Sequence, residues 1–223
     1  MNNFDIVEFG ARLGIFFVPF LFALCFHEFA HGLVAKWKGD NTAELAGRLS
    51  LNPMVHADPI GTWVLPIAAI LFSSPFFFGW AKPVPVNTRN LKNPMDLFWI
   101  ALAGPLSNVF LALVATILLG VAYAYSQAPG SGTGILMLLK TFISINLFLA
   151  VFNLIPIHPL DGGKIIEPFL PVRWNMWLME NQGQLNLFLF LFIMLSGGLL
   201  AIPVIWASNQ LLEVSIFIAQ RLV

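Results

Sequence analysis

The sequence predicts an all-α polytopic membrane protein, with about five to six transmembrane or re-entrant helices joined by short membrane-associated extended loops. Two observations predict it. Only 10% of the 223 residues are charged and 58% are hydrophobic, with a mean hydropathy of +0.83, whereas soluble domains carry about 25% charged residues. The apolar residues are also gathered into runs, at 12–37, 60–78, 96–124, 135–157, 183–198 and 199–220, and about 20 residues suffice to cross a bilayer. Between them there is no room for a sizeable soluble domain. The formal net charge is zero, so the basic footprint of a nucleic-acid partner is missing.

The first run follows an N-terminus that carries Asp5 and Glu8 and no basic stretch. No small-residue cleavage site follows it, so it is expected to remain in the membrane rather than to be a cleaved signal peptide. Deep within it lies His27-Glu28-Phe29-Ala30-His31. A carboxylate at such depth costs roughly 2.5–3.5 kcal/mol on insertion scales and is rarely there without work to do. On a helix, His27 and His31 stand on one face one turn apart, so both imidazoles can reach one zinc. Glu28 then faces the water that completes the zinc shell, where it can take the proton. This is metalloprotease chemistry placed inside a bilayer. The single cysteine, Cys25, rules out an internal disulfide and reads as an apolar residue turned away from His27.

The next stretch, Lys38 to Asp58, is polar, and His56 and Asp58 read as a turn and a helix cap before Ile60. The run 60–78 has two readings, a full crossing or a dip that returns. If the first span ends in the cytoplasm and 60–78 crosses, then Lys82, Arg89 and Lys92 fall outside, against the positive-inside tendency. If 60–78 is re-entrant, only Arg12 and Lys140 remain outside. The Pro-rich loop Gly79–Asn87 follows, and then a run in which Gly104 and Asn108 are expected to allow close packing. The linker Gln127 to Gly134 is small and uncharged. Trp80, Trp99, Trp174, Trp177 and Trp206 read as interfacial anchors and core.

A catalytic zinc needs a third protein ligand, and the candidates are Asp161, Asp58, Glu213, His56 and His158. Asp161 stands out because its surroundings, Asn153-Leu154-Ile155-Pro156-Ile157-His158-Pro159-Leu160-Asp161-Gly162-Gly163, break a span. Non-helical backbone at membrane depth is tolerated only where protein or a water-filled cavity receives it. Asp161 could instead cap the helix that follows; beside an HExxH the ligand reading is preferred. His158 reads as a turn residue facing water, and Glu213 as a partner for a polar group or an interfacial residue.

These two motifs, His27–His31 and Asn153–Gly162, resemble those of the site-2 protease family of intramembrane zinc metalloproteases, which pair HExxH with an NxxPxxxxDG-type motif in a later span. Ala103-Gly104-Pro105-Leu106-Ser107-Asn108 is similar to the family's central span, and the resemblance covers about residues 10 to 170. It implies one Zn2+ per chain, held by His27, His31 and Asp161, with Glu28 as the catalytic carboxylate. It implies that Asn153, eight residues before Asp161, helps hold the substrate carbonyl or its oxyanion; the other reading of Asn153 is an inter-helix hydrogen bond.

The domain is expected to be single and membrane-embedded over 1–223, with C-terminal helices at about 173–221. In the family one crossing separates the HExxH span from the Asp span, so the resemblance and the charge count both favour a re-entrant 60–78. The expected activity is hydrolysis of peptide bonds in transmembrane or membrane-associated proteins, at the cytoplasmic side of the plasma membrane. The expected partners are the lipid bilayer, a transmembrane protein or peptide substrate, and a regulatory membrane protein in place of the PDZ or CBS domain that many relatives carry. The stretch Lys38–Leu51 and the loop Gly79–Asn87 are expected to pair with an extended substrate, since Pro83 and Pro85 hold the backbone extended. The rival classes are a metal transporter and an inactive helix-binding scaffold. A transporter predicts polar residues strung across the membrane, and a scaffold gains nothing from Glu28.

Overall fold

The computed structural model describes residues 5–74, 77–125, 133–195 and 198–222. Helix α1 runs over Ile6–Trp37, starting earlier than the apolar run because Asp5 caps it, its Oδ1 accepting from the N–H groups of Val7 (2.8 Å) and Glu8 (3.3 Å). It widens into a π-helical turn over Leu13–Phe17, with the Val18 N–H donating to the Leu13 carbonyl. Pro19 supplies the reason, since it has no N–H for the regular ladder at this level.

After two single helical turns, Thr42–Leu45 and Pro53–His56, Asp58 caps α2, Pro59–Leu71. Its Oδ1 accepts from the Ile60 (3.0 Å) and Gly61 (2.7 Å) N–H groups, which is the capping role the sequence predicts. α2 rises only about 20 Å, short of the roughly 30 Å hydrocarbon core. Ser73, at φ 49°, turns the chain. By residue 80 it is back beside its starting point: Trp80 N–H donates to the Gly61 carbonyl (3.1 Å), Lys82 N–H to the His56 carbonyl (2.8 Å), and Ala57 bridges Ala81. The segment leaves and returns at one end. This return is what the re-entrant reading of 60–78 requires.

Helix α3, Pro94–Tyr125, is the centre of the molecule and packs against α1, α4 (Thr133–Asn153), α5 (Asp161–Ile166) and α8 (Ala201–Leu222). Apolar burial gives little drive to helix pairing in lipid, so close contacts rest on small residues. The buried face of α3 has them in Ala101, Gly104, Ala112, Ala115, Gly120 and Ala124. One apolar cluster joins α1, α2 and α4 through Phe17, Phe20, Leu24, Ile70 and Leu149. A second joins α3, α4 and α8 through Leu119, Ile143, Leu147 and Val204.

α4 stops at Asn153, before the end of its apolar run, because Pro156 disfavours helical backbone at Ile155. Helices α6 (Val172–Glu180) and α7 (Gln182–Leu195) follow, and α7 packs chiefly against α6. Among the described residues α1, α3, α4 and α8 are long and apolar enough to cross a membrane, which with re-entrant α2 and short α7 accounts for the predicted number of helices. Most of the linker predicted at Gln127 to Gly134 lies outside the described residues.

Candidate metal centre and active site

Two imidazoles and one carboxylate meet in the interior. His27 and His31, one turn apart on α1, place their Nε2 atoms 3.0 Å from each other. Asp161 Oδ2 lies 3.0 Å from His27 Nε2 and 3.2 Å from His31 Nε2. All three residues are buried. Asp161 is the first residue of α5, whose cap position is Leu160, so its carboxylate does not cap the helix and is free to face α1. The chain can deliver it there because the turn 154–160 is tightly folded onto α5. A Cβ at Gly162 would overlap the Ile155 and Leu154 carbonyls, so glycine is required.

The partners of the other ring nitrogens decide what converges. His31 Nδ1 is 2.7 Å from the Ile100 carbonyl, which can only accept, so Nδ1 carries the proton. Asn108 donates its Nδ2 to the Ala23 carbonyl (3.2 Å) and to Asn146 Oδ1 (2.9 Å), which turns its Oδ1 to His27; His27 Nδ1–H therefore donates to it at 2.6 Å. Asn146 is held in turn by donating to the Phe142 carbonyl (2.8 Å). With Nδ1 committed as the donor in both rings, the neutral form of each imidazole carries its lone pair on Nε2, facing Asp161 Oδ2. Three acceptors with no proton between them repel unless a cation sits among them, and the donor set of two imidazoles and a carboxylate suits zinc. α3 admits the two imidazoles at Gly104, where a Cβ would overlap both Nε2 atoms.

Of the sequence-predicted site residues, His27, His31 and Asp161 are thus brought together. Glu28, partly buried beside them in the chain, accepts from the Val84 N–H at 2.8 Å through Oε2. Asn153 uses one amide hydrogen within α4. Its Nδ2 donates to the Leu149 carbonyl one turn back (3.0 Å), and because α4 ends there, it does not stand two helical turns above Asp161 on one continuous helix.

His158 is half-buried in the turn rather than fully facing water; burial lowers its pKa against the pull of Glu167. Lys164 Nζ lies 3.6 Å from Asp161 Oδ1. His56 is buried and bonded to the Ser50 carbonyl through Nε2 (2.7 Å), a turn residue as expected. Cys25 is buried. Asn108 and Asn146 are the residues that sequence reasoning did not assign to the site. Their signal was present as two polar side chains inside apolar spans, each of which must find a partner in lipid.

The chain is similar to a known family and to several known proteins. Residues 120–197 match Peptidase family M50, a span that includes Asp161 but not the HExxH. YwhC of Bacillus subtilis (strain 168), named as a zinc metalloprotease, is 37% identical over 198 residues, covering 86% of this chain and 86% of its own. Rip2 of Mycolicibacterium smegmatis, named likewise, is 32% identical over 152 residues, covering 67% of this chain and 55% of its own. MJ0611 of Methanocaldococcus jannaschii, also named so, is 42% identical over 85 residues, 38% of this chain and 37% of its own. No solved structure matches.

Proposed function

The chain belongs to peptidase family M50, the site-2 protease type of zinc metalloprotease, and on that premise we propose that it cleaves peptide bonds of transmembrane or membrane-associated proteins within the bilayer. In this reading His27, His31 and Asp161 hold the zinc, and Glu28 is the general base. The observation that carries it is the convergence of two Nε2 lone pairs and one carboxylate oxygen at 3.0–3.2 Å in a buried site one residue from Glu28. Bound there, zinc would supply an acidified water, with a pKa near 7, and polarise the scissile carbonyl.

The chain's own groups supply the rest. Asn108 and the Ile100 carbonyl fix the imidazole tautomers, so neither ring spends an Nε2–H on the site. Glu28 takes the proton of the attacking water and returns it to the leaving amine, a role for which general acid–base catalysis contributes about 10²- to 10⁴-fold. Asn153 gives one Nδ2 hydrogen to the Leu149 carbonyl and keeps its second for the substrate oxygen. A substrate helix must unwind before it reaches Glu28, because its peptide bonds are shielded by their own hydrogen bonds. The Lys and Arg distribution supports an active site toward the cytoplasm, with the whole chain forming one membrane domain.

The test is zinc content and cleavage of a transmembrane substrate by purified protein in detergent. Wild type and Glu28→Gln should hold one zinc while only wild type cleaves; Asp161→Ala should lose the metal. Retention of both metal and activity by Asp161→Ala would remove it from the ligand set.

A further inference from the structure

The sequence offers the loop Gly79–Asn87 as an extended edge for a substrate, but its backbone is already engaged. Pro83 and Pro85 have no N–H, so Val84 carries the one backbone donor of 83–85, and it is given to Glu28 Oε2 at 2.8 Å. Val84 is 8% exposed, buried in the contact. The loop is pinned from behind as well. Arg48 Nη2 donates to the Lys82 carbonyl at 2.6 Å and reaches the Pro83 carbonyl at 3.5 Å, while Lys82 N–H is tied to the His56 carbonyl.

We infer that Val84 and Arg48 are positioning residues for the general base: the loop exists in this form to hold the Glu28 carboxylate, with Arg48 acting through the loop. A carboxylate bonded to a fixed N–H loses its rotational freedom at Oε2 and leaves proton uptake to Oε1. Hydrogen bonds to a charged acceptor are about twice as strong as neutral ones, so one suffices to fix the orientation. The flanking prolines hold φ at both neighbours and keep the donor where it is. Displacement of a catalytic group by about 1 Å can cost 10²-fold in rate. The inference rests on the peptidase reading of Glu28.

The experiment compares Val84→Pro, Val84→Ala and Arg48→Ala with wild type. Val84→Pro deletes the N–H and should lower kcat about a hundred-fold with KM and zinc content unchanged. Val84→Ala keeps the N–H and should retain most of kcat, and Arg48→Ala should fall between the two. Because prolines flank it, Val84 supplies the single exchangeable amide of 83–85. Hydrogen exchange there needs no substrate, and it should speed up in Glu28→Ala. Unchanged exchange in Glu28→Ala overturns the inference, as does a kcat in both Val84→Pro and Arg48→Ala equal to or above wild type; a rise would make the loop a strap over the site. If Val84→Pro fails to fold, Arg48→Ala and the exchange measurement decide. A wild type that cleaves nothing overturns the peptidase reading and the catalytic purpose of the contact together, whatever the exchange shows.

Discussion

Helices α3 and α7 are both strongly apolar, yet only α3 organises its neighbours. α3 buries Asn108 and Thr116 among small residues and touches four other helices. α7 has its polar residues only near its start, at Gln182, Gln184 and Asn186, and exposes Leu187 (59%) and Phe188 (60%). In lipid an apolar surface gains little by meeting another, so small residues and internal hydrogen bonds decide which helices pack. The polar chain Asn146–Asn108–His27 therefore does two jobs, holding α1, α3 and α4 together and presenting His27 Nε2. Among the described residues α7 shows no such chain.

That contrast can be broken at four places. Gly104→Ala should have the largest effect, because its Cβ intrudes between both Nε2 atoms; zinc should be absent from the purified variant and cleavage should fall by more than about 10²-fold. Asn108→Leu removes the acceptor of His27 Nδ1–H and strands Asn146. Zinc affinity, read by chelator competition, should fall about 10- to 100-fold, as for the loss of other outer-shell partners.

The third place lies outside the spans. Burial raises the pKa of Asp40, but hydrogen bonds from Thr42, Asn90 and the Asn87 N–H outweigh it and hold the carboxyl below its ordinary 3.8. A depressed carboxyl stabilises the fold above its unfolded pKa, so that contribution is full at neutral pH and declines as pH falls through and below about 3.8. The thermal midpoint of wild type should fall more steeply on acidification below pH 4 than that of Asp40→Asn. The smallest effect is expected on α7. Phe188→Ala should leave zinc content unchanged and alter stability by no more than about 0.5 kcal/mol. A loss of zinc in that variant would place α7 at the site after all.

Much of this was legible in the sequence because it rests on local pattern. HExxH spacing on a helix fixes the relation of His27 to His31, and the Pro- and Gly-rich break marks where Asp161 leaves its span. The Lys and Arg positions, together with the need to bring Asp161 to the correct side, favoured a re-entrant α2 over a crossing without deciding between them. What was not legible is long-range. The bond from Val84 to Glu28 joins residues 56 positions apart, and Asn108 meets His27 across 81; no periodicity encodes either contact. For Asn153 the continuity of the helix was misjudged, since its spacing from Asp161 suggested one helix but Pro156 ended that helix at Asn153 itself.

The central claim is that zinc is held by His27, His31 and Asp161. X-ray absorption at the zinc edge of the purified protein tests it most directly. The account predicts one zinc per chain with two imidazole nitrogens and oxygen donors at about 2.0–2.2 Å, and loss of the metal in Asp161→Ala. A sulfur shell at about 2.3 Å, or an unchanged spectrum in Asp161→Ala, would contradict it.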